Sequence, residues 1–584
     1  MKKRFSYIIF LILILSIPLF TASCKNHSNP EHVQTNFNAF LNDLFVEEVS
    51  SDTLSLNYSL ADPGKFGIKK DKVTLGEFSA DHMRKILAVS ENYLKRLRAF
   101  DYDQLSKDQQ LTYDIVKKYL EQDLDAGDFI YYSDCLGPTT GIQAQLPILL
   151  AEYGFYSKKD IDNYIQLLSC VDNYFKAIEV FEQQKSKKGL FMSDDVADGI
   201  IAQCKAFIAN PEENFLITYF NQKILDYKGL TDDEIRAYKK ANKNAILKVV
   251  IPAYQNLIDV LTDLKGSGTN AAGLYYYPEG QAYYEYLAKT KTGSGKSMDE
   301  MAKMLDKAIN DGIIKITTLT LTDSKIMDKY MSFHSFPLTD PQEILSDLKK
   351  DINNDFPAQT PVKCDIKYVD KSLADYLSPA MYLVPPIDDY ENNDIYINGK
   401  DKKTLSKIYT TVAHEGYPGH LYQCIYFRNL NPAPIRNAMD FIGYDEGWAT
   451  YVEFYSYRYA GIDDNLADFL AANNEVILCM YARADIGIHY QGWLKDDVVN
   501  YILNFIVDKD IAESIYHTLL EEPAIYLPYA IGYLEIQELR TKAENALGDQ
   551  FNVKKFHEFL LDMGPSQFDV IEKYMNQWIA DQKK

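Results

Sequence analysis

Apolar residues return at intervals of three and four positions along most of this 584-residue chain. The run at 235–264, IRAYKKANKNAILKVVIPAYQNLIDVLTDL, keeps this spacing over its whole length. Such periodicity places apolar side chains on one face of an α-helix, and it predicts a mainly α protein.

Helix-start signals precede several of these runs. In a capping box, a Ser or Thr and a carboxylate or Gln three residues later bond each other's backbone N–H groups. An Asp followed by Pro is a related signal, because Pro is tolerated in the first turn. These signals occur at 106–109, 157–160, 231–234, 297–300 and 340–341.

One region breaks the helical pattern. Residues 362–370 and 379–400 are rich in β-branched and aromatic residues with turn formers between them, which predicts a small β-sheet. The Gly- and Ser-containing run at 265–273 is the best internal boundary. We therefore expect an N-terminal helical lobe at 39–270 and a second lobe at 271–584.

The first 24 residues are typical of an export signal. A basic start is followed by an apolar run at 8–20, which is short for a membrane-spanning helix, and by TASC. The end of this segment resembles the bacterial lipobox, although Thr21 replaces the usual Leu. Cys24 would then be the lipidated first residue of the mature chain, followed by a polar tether at 25–38. A signal cleaved elsewhere or a retained anchor is the alternative.

Composition limits the partners of this protein. The formal net charge of −22 disfavours nucleic acid and anionic lipid headgroups, so contact with a membrane is expected through the lipid anchor only. The six cysteines after Cys24 are far apart and form no CxxC pair, which argues against a disulfide framework. No pattern in the sequence indicates an oligomeric state.

The segment TVAHEGYPGHLYQ at 411–423 has most of a zinc-hydrolase signature. In HExxH the two histidines share a helix face, whereas His414 and His420 are six residues apart. On an ideal helix, six residues turn about 600°, which leaves the second imidazole roughly 120° away from the first. Pro418 breaks the helix and Gly419 permits a bend, so that both imidazoles would reach one ion.

A catalytic zinc needs a third ligand and a nearby carboxylate. Glu446, 26 residues after His420, opens a helix-like run and is the expected ligand, with Asp445 as its rival. Glu453 would lie behind the ligands. The alternative is a polar turn at the end of a core helix, but a structural metal site would not need Glu415 beside the first ligand.

These motifs together resemble a known bacterial family. HEGYPGH, followed in order by GYDEGWATYVE, ARADIGIHYQGW and PAIYLPYAIGYLEIQELR, is similar to domain of unknown function 885. LPILLAEYGF, YYYPEGQAYYEYL and SPAMYLVPPIDDYENNDIYIN extend the resemblance over nearly the whole mature chain. The resemblance implies a large zincin-like helical metallopeptidase with an HExxPGH signature. Its small β-sheet would lie beside the active-site helix, and two lobes would enclose a deep groove.

The resemblance also implies a set of site residues. His414, His420 and Glu446 would hold Zn²⁺, although the ligand types also suit manganese or cobalt. Glu415 would act as general base and later pass the proton to the leaving amine.

Further residues are implied by the same resemblance. His489 and Tyr529 would donate hydrogen bonds to the oxyanion, and Arg483 would bind a substrate carboxylate. A core histidine, a packing tyrosine and a structural ion pair are the respective alternatives. The chain departs from the family pattern at Ile525 and Pro528, close to Tyr529. Separately, the strand pattern at 379–400 would let Tyr396 and Asn398 line the groove on an edge strand that pairs with an extended peptide.

The expected function is a zinc-dependent metallopeptidase for short peptides, anchored by lipid to the outer face of a bacterial membrane. Two other hypotheses stay open: a peptide-binding lipoprotein without turnover, and a zinc hydrolase of non-peptide amides or esters.

Overall fold

Helices begin where the start signals predict them. The computed structural model describes residues 29–69, 72–138, 140–369 and 378–584. The prediction of a mainly α protein is confirmed. All five start signals directly precede a helix, with first residues Lys107, Lys158, Asp232, Met298 and Pro341.

The first helices pack with the C-terminal half of the chain. They are α1 (Pro30–Val49), α2 (Thr53–Ser59), α3 (Ala80–Leu97) and α4 (Lys107–Asp125). Phe37 of α1 and Leu97 of α3 are buried in the main core, which also takes side chains from residues 274–579. The polar tether predicted at 25–38 is therefore wrong from Pro30 onward, because α1 begins there. The predicted signal and Cys24 lie outside the described residues.

The next six helices form a second core. They are α5 (Ile142–Glu152), α6 (Lys158–Lys187), α7 (Asp194–Ile208), α8 (Phe215–Asp226), α9 (Asp232–Ala245) and α10 (Ile251–Leu264). The predicted lobe at 39–270 therefore differs from the structure, because α1, α3 and α4 contribute mainly to the other core.

A π-helical turn joins α9 and α10 into one run, Asp232–Leu264. This run is long and apolar enough to cross a membrane by length and composition alone. The core helix of a soluble protein passes the same test, and here Tyr254 and Leu257 are fully buried in the second core.

The remaining helices surround the histidine motif. Among them, α18 and α22 approach closely through glycines: a Cβ on Gly447 would lie 2.5 Å from the carbonyl carbon of Gly532. This contact fixes the two helices that carry Glu446 and Tyr529. The helices are α11 (Gly280–Thr292), α12 (Met298–Thr322), α13 (Ile326–Ser332), α14 (Pro341–Asp351), α15 (Lys402–Ser406), α16 (Tyr409–Glu415), α17 (His420–Asn429), α18 (Ile442–Ser456), α19 (Asp464–His489), α20 (Lys495–Ile502), α21 (Lys509–Glu521), α22 (Leu527–Leu547), α23 (Val553–Met563) and α24 (Phe568–Gln582).

The predicted sheet is present directly before α15. Its strands are β1 (Lys363–Tyr368), β2 (Ala380–Leu383) and β3 (Asn392–Ile397). They are arranged in the order β1-β3-β2, with β3 parallel to β1 and antiparallel to β2. β2 is therefore an edge strand, and its free edge lies beside the histidine motif.

Candidate metal centre

The helix carrying the first histidine ends before the second histidine begins a new one. α16 ends at Glu415 and α17 starts at His420, and the peptide bond between Tyr417 and Pro418 is cis. Gly419 is held against α16, since a Cβ there would lie 1.7 Å from the carbonyl oxygen of His414. The predicted break is thus present, and only glycine fits at its second bend.

Backbone hydrogen bonds hold this break in place. The N–H of Gly419 donates to Ala413 O (3.0 Å), and the N–H of Tyr422 donates to Gly416 O (3.1 Å). The indole N–H of the fully buried Trp448, on α18, donates to Pro418 O (2.9 Å). The connection is therefore tied to the helix that supplies Glu446.

The predicted ligand atoms converge. One ligand atom each from His414, His420 and Glu446 lie within 4.8 Å of one another. Oε2 of Glu446 is 3.4 Å from Nε2 of His414 and 3.5 Å from Nε2 of His420. This oxygen is buried and has no hydrogen-bond partner in the described part of the chain.

The electrostatics agree with this convergence. Burial acts to raise the pKa of Glu446, but the imidazoles of His414 and His420 hold it well below its usual range. Two imidazole nitrogens and one carboxylate oxygen, with an open side toward a cavity, are the donor set of a catalytic zinc site. An orphaned carboxylate oxygen between two imidazoles is satisfied by a divalent cation, so these residues fit zinc.

A carboxylate behind His414 orients its ring. Nδ1 of His414 is 3.0 Å from Oε2 of Glu453, and Oε1 of Glu453 accepts a longer hydrogen bond from the Thr410 hydroxyl (3.4 Å). A carboxylate on Nδ1 favours the tautomer that leaves Nε2 free to bind a metal. Glu453 therefore occupies the place expected for it from the sequence.

Glu453→Gln is expected to weaken zinc binding by about 10- to 100-fold, because the amide interacts more weakly with the His414 ring. Competition with a chromogenic chelator measures this. Glu475→Gln is the matched control: Glu475 is a buried carboxylate outside the metal cavity, with a pKa raised to about 7 mainly by burial. Equal zinc affinity in the wild type and Glu453→Gln would rule out the orienting role.

Glu415 is held beside the ligands by the edge strand. Its Oε2 accepts a hydrogen bond from the backbone N–H of Tyr382 on β2 (2.8 Å). Burial raises the pKa of Glu415, and the imidazoles of His414 and His420 offset only part of this rise. A carboxyl with a raised pKa is suited to accepting a proton near neutral pH.

Tyr529 faces the same site from α22. Its ring lies 6.4 Å from the ring of His414, centroid to centroid, and it lines the cavity in front of the ligands. Burial, together with the carboxylates of Glu446 and Glu415, raises the pKa of Tyr529. Its hydroxyl therefore keeps its proton and is a hydrogen-bond donor.

A cavity of about 590 Å³ opens in front of these residues. Ala380, Met381 and Tyr382 of β2 form one wall. One face of α17 forms another, and its members follow helical spacing: His420, Gln423, Cys424, Phe427 and Arg428. All lining residues fall within 378–565, so the expected groove lies within the C-terminal part of the chain.

The comparisons with known proteins identify the family. A model of the bacterial protein family of unknown function DUF885 matches residues 64–575. The chain belongs to the DUF885 family. No curated protein matches this DUF885 chain.

Solved structures share the fold of this DUF885 chain. A "putative lipoprotein" from Colwellia psychrerythraea is 18% identical, with a TM-score of 0.82 over 95% of this chain and 100% of that one. A "putative lipoprotein of unknown function" from Shewanella oneidensis is 16% identical, with a TM-score of 0.64 over 94% and 100%. A "putative oligoendopeptidase F" from Bacillus anthracis str. Ames is 12% identical over 88% of this chain and 99% of that one. Its TM-score of 0.24 is too low to indicate the same fold.

The structure keeps His489 of the DUF885 chain away from the metal ligands. His489 is 1% exposed. Its Nδ1 is 3.1 Å from the backbone N–H of Leu274 and its Nε2 is 2.9 Å from Leu519 O. Burial lowers its pKa to about 4. The prediction that His489 donates a hydrogen bond to the oxyanion is therefore corrected. Both of its ring nitrogens bind backbone groups in the core, and His489 does not line the metal cavity.

Arg483 is also absent from the cavity. Its Nε lies 3.0 Å from Oδ1 of Asp306, and its guanidinium stacks over the Trp493 ring at 4.8 Å. The prediction that Arg483 binds a substrate carboxylate is wrong, because an ion pair of the DUF885 chain itself already holds this side chain.

Tyr396 lies on the central strand β3, and Asn398 directly follows that strand. Neither residue is on an edge strand of the sheet. Tyr396 pairs with Lys367 and Met381 on either side, and its hydroxyl donates to Glu152 (3.1 Å). The backbone N–H of Asn398 donates to Pro379 O (2.8 Å). Neither lines the cavity, whereas Ala380, Met381 and Tyr382 of the edge strand β2 do.

Asp445, the rival ligand, also lines the cavity of this DUF885 chain but is not one of the three converging groups. Its Oδ1 accepts a hydrogen bond from Nε2 of Gln423 (2.6 Å). Burial, reinforced by Asp440, raises the pKa of Asp445 to about 7. Glu446 is therefore the third member of the group.

Sequence reasoning missed the residues that line the cavity of this DUF885 chain beyond the ligands. The α17 face was readable, since positions three, four, seven and eight after His420 share one side of a helix. Arg436, in the loop before α18, follows no such spacing and carried no signal.

Proposed function

We propose that this protein is a zinc-dependent peptidase that hydrolyses short peptides. The observation that carries the proposal is the convergence of His414, His420 and Glu446 in a cavity that also presents Glu415. A site that only stabilised the fold would be closed by a fourth ligand and would not need a free carboxylate beside it.

The side chains of the cavity have separate tasks in this proposal. When bound, zinc lowers the pKa of water and polarises a carbonyl group. Glu415 accepts the proton of the attacking water at Oε1 or Oε2 and later delivers it to the leaving amine. The Tyr529 hydroxyl donates a hydrogen bond to the developing oxyanion, which lowers the barrier because the donor is already in place. Glu453 keeps the His414 ring in its orientation.

The edge strand supports a peptide as the substrate. Pro379 O accepts from the N–H of Asn398, which directly follows β3, so the backbone groups of residues 379, 381 and 383 point toward the sheet. Those of Ala380 and Tyr382 point the other way, toward the cavity, where the Tyr382 N–H already holds Glu415. The free carbonyl groups on this side are available to an extended peptide, which would add to the sheet as a further strand.

We also propose that the mature protein is a lipoprotein on the outer face of a bacterial membrane. The export signal and Cys24 in the sequence support this. The two structural neighbours are each named a "putative lipoprotein", which agrees with it. Palmitate labelling of the wild type and of Cys24→Ala in a bacterial host tests this assignment.

Removal of the metal is expected to reduce peptide cleavage at least about 100-fold, because the cation provides the charge that activates water. The purified mature chain is analysed for bound metal, depleted with a chelator, and assayed on short peptides with free and blocked ends. Added zinc should restore the original rate.

The same assay separates the alternatives. Tight binding without cleavage indicates a peptide-binding lipoprotein, and cleavage confined to small amides or esters indicates a different zinc hydrolase. Full cleavage by protein that elemental analysis shows to be free of metal would overturn the proposed function.

A further inference from the structure

Two buried arginines line the metal cavity. Arg428 lies eight residues after His420 on α17, and Arg436 lies in the loop that leads to α18. Their exposed fractions are 7% and 3%, so both guanidinium groups are largely withdrawn from bulk water. Burial lowers the pKa of Arg436 to about 10, which leaves it charged at neutral pH.

Neither arginine is neutralised within the described part of the chain. None of the ion pairs among the described residues includes Arg428 or Arg436, although the chain carries 83 acidic residues. Withdrawing a cation from water is costly unless an anion compensates it. Neither guanidinium group therefore has a carboxylate partner in the described part of the chain.

Backbone carbonyls satisfy only part of each guanidinium group. Nη2 of Arg436 donates to Met563 O (2.7 Å) and Pro565 O (3.2 Å), and its carbon lies 5.3 Å from the centre of the Phe427 ring. Nε and Nη1 of Arg436 have no partner among the described residues, and Nε is fully buried. Nη1 is therefore the nitrogen left for a ligand, while the buried Nε remains an uncompensated donor.

Arg428 is also bonded to a backbone carbonyl and not to a carboxylate. Its Nη1 donates to Pro386 O (3.1 Å), and its guanidinium lies 5.7 Å from the centre of the Tyr390 ring. By contrast, Arg483, which is 11% exposed and lies outside the cavity, is paired with Asp306. The two cavity arginines are set apart by their lack of a carboxylate.

We propose that Arg436, assisted by Arg428, binds a carboxylate of the peptide substrate within the metal cavity. Guanidinium groups form charge-assisted hydrogen bonds with carboxylates. On Arg436 this role falls to Nη1, because Nη2 already donates to two backbone carbonyls and Nε is fully buried. The carboxylate comes from the chain end or from an acidic side chain of the substrate. This inference rests on the proposed peptidase function and adds the determinant of its specificity.

The spacing along α17 sets the length of the substrate. Eight residues of helix separate the backbone of His420 from that of Arg428 by about 12 Å. Extended peptide advances about 3.4 Å per residue, and the arginine side chains cover part of the distance. When the carboxylate is the chain end, two or three residues beyond the cleaved bond span the distance to Arg428, and cleavage then releases a C-terminal dipeptide or tripeptide.

Three N-acetylated pentapeptides test the inference on the metal-loaded mature protein. The first is pentaalanine with a free carboxylate, the second is its C-terminal amide, and the third is the amide with Glu at the fourth position. Binding is measured by calorimetry with Glu415→Gln, and cleavage with the wild type, with products identified by mass spectrometry. We expect the free acid to bind and to be cleaved about 10- to 100-fold better than the plain amide.

The third peptide identifies the source of the carboxylate. If it behaves like the plain amide while the free acid binds better, the arginines bind the chain end. If it alone binds better than the plain amide, they bind an acidic side chain, and if it matches a better-binding free acid, they accept a carboxylate from either source. Equal binding and cleavage of all three overturns the inference and leaves the peptidase standing. Preferential binding of a carboxylate peptide without any cleavage overturns the peptidase and leaves the anion site. Absence of both binding and cleavage overturns both.

Arg436→Gln tests the contribution of Arg436 itself to carboxylate binding. This variant should bring the ratio of the free-acid affinity to the amide affinity close to one. Arg436→Lys should restore part of the preference for the free acid. Arg483→Gln is the matched control, because Arg483 is a largely but not fully buried arginine outside the cavity. Thermal unfolding of all three variants checks that they fold. A ratio that stays at the wild-type value in a folded Arg436→Gln protein excludes Arg436 as the carboxylate-binding residue.

Discussion

Glu415→Gln is expected to lower the kcat for peptide cleavage by about 10³-fold while zinc stays bound. Glutamine fills the same volume and its amide oxygen still accepts the hydrogen bond from the Tyr382 N–H. It cannot take a proton from water near neutral pH, so the attack and the protonation of the leaving amine both lose their proton carrier. Zinc content, measured by elemental analysis, should be unchanged because Glu415 is not one of the three converging groups.

The control for this variant is again Glu475→Gln, which removes a buried carboxylate outside the cavity. It should keep wild-type turnover. If Glu415→Gln keeps its zinc and also cleaves at more than a tenth of the wild-type rate, another group carries the proton and the role assigned to Glu415 is wrong.

Gly419→Ala is expected to dismantle the metal centre. The new Cβ would lie 1.7 Å from the carbonyl oxygen of His414 and 2.5 Å from that of Ala413. Both obstacles are backbone atoms of α16, so the helix end must move, and it carries the first histidine and Glu415. We expect a loss of about 3 kcal/mol or more in the free energy of unfolding, together with loss of zinc binding. Denaturant unfolding of the metal-free protein and a zinc titration measure the two effects.

Gly199→Ala is the matched control. Gly199 lies within α7, where a Cβ meets no atom within 4 Å. Alanine should be neutral there, or stabilising by up to about 1 kcal/mol, because it favours the helix. Wild-type stability and zinc affinity in Gly419→Ala would show that the chain can bend at this point without glycine.

The sequence was sufficient for features that depend on neighbouring residues. Capping residues such as Thr231 and Ser297 mark helix starts because their side chains bond N–H groups three residues away. The break between His414 and His420 was predictable for the same reason, since Pro418 and Gly419 act on the backbone locally. The position of the small sheet followed from its β-branched and aromatic residues and the turn formers between them.

Features that depend on distant contacts were not predictable in this way. α19 carries both Arg483 and His489, and its surface is covered by neighbours on nearly every side. A sequence motif does not tell which of these neighbours a side chain meets. Here His489 is buried in the core, and Arg483 pairs with Asp306. The order of the strands had the same limitation: β3 follows β2 in the chain but lies between β1 and β2.

Arg436 shows a third limit. It lies in a short connecting segment after α17, where no periodicity assigns a side chain to a surface. Its place in the cavity comes from α23 and the turn after it, whose carbonyl groups at Met563 and Pro565 receive its hydrogen bonds. These partners are more than 120 residues away in the chain, and only the tertiary structure brings them together.

The burial of α1 among the C-terminal helices has a consequence for biogenesis. Phe37 and Phe45 are fully buried in a core whose other members extend to Ile579, and α1 contacts the segment Pro434–Asn437, far along the chain. Such distant pairing closes a very long loop and cannot form until the C-terminal half of the polypeptide has been delivered. Completion of the main core therefore waits for that half. For the exported zinc enzyme proposed above, this would place acquisition of the metal after most of the chain has been released on the far side.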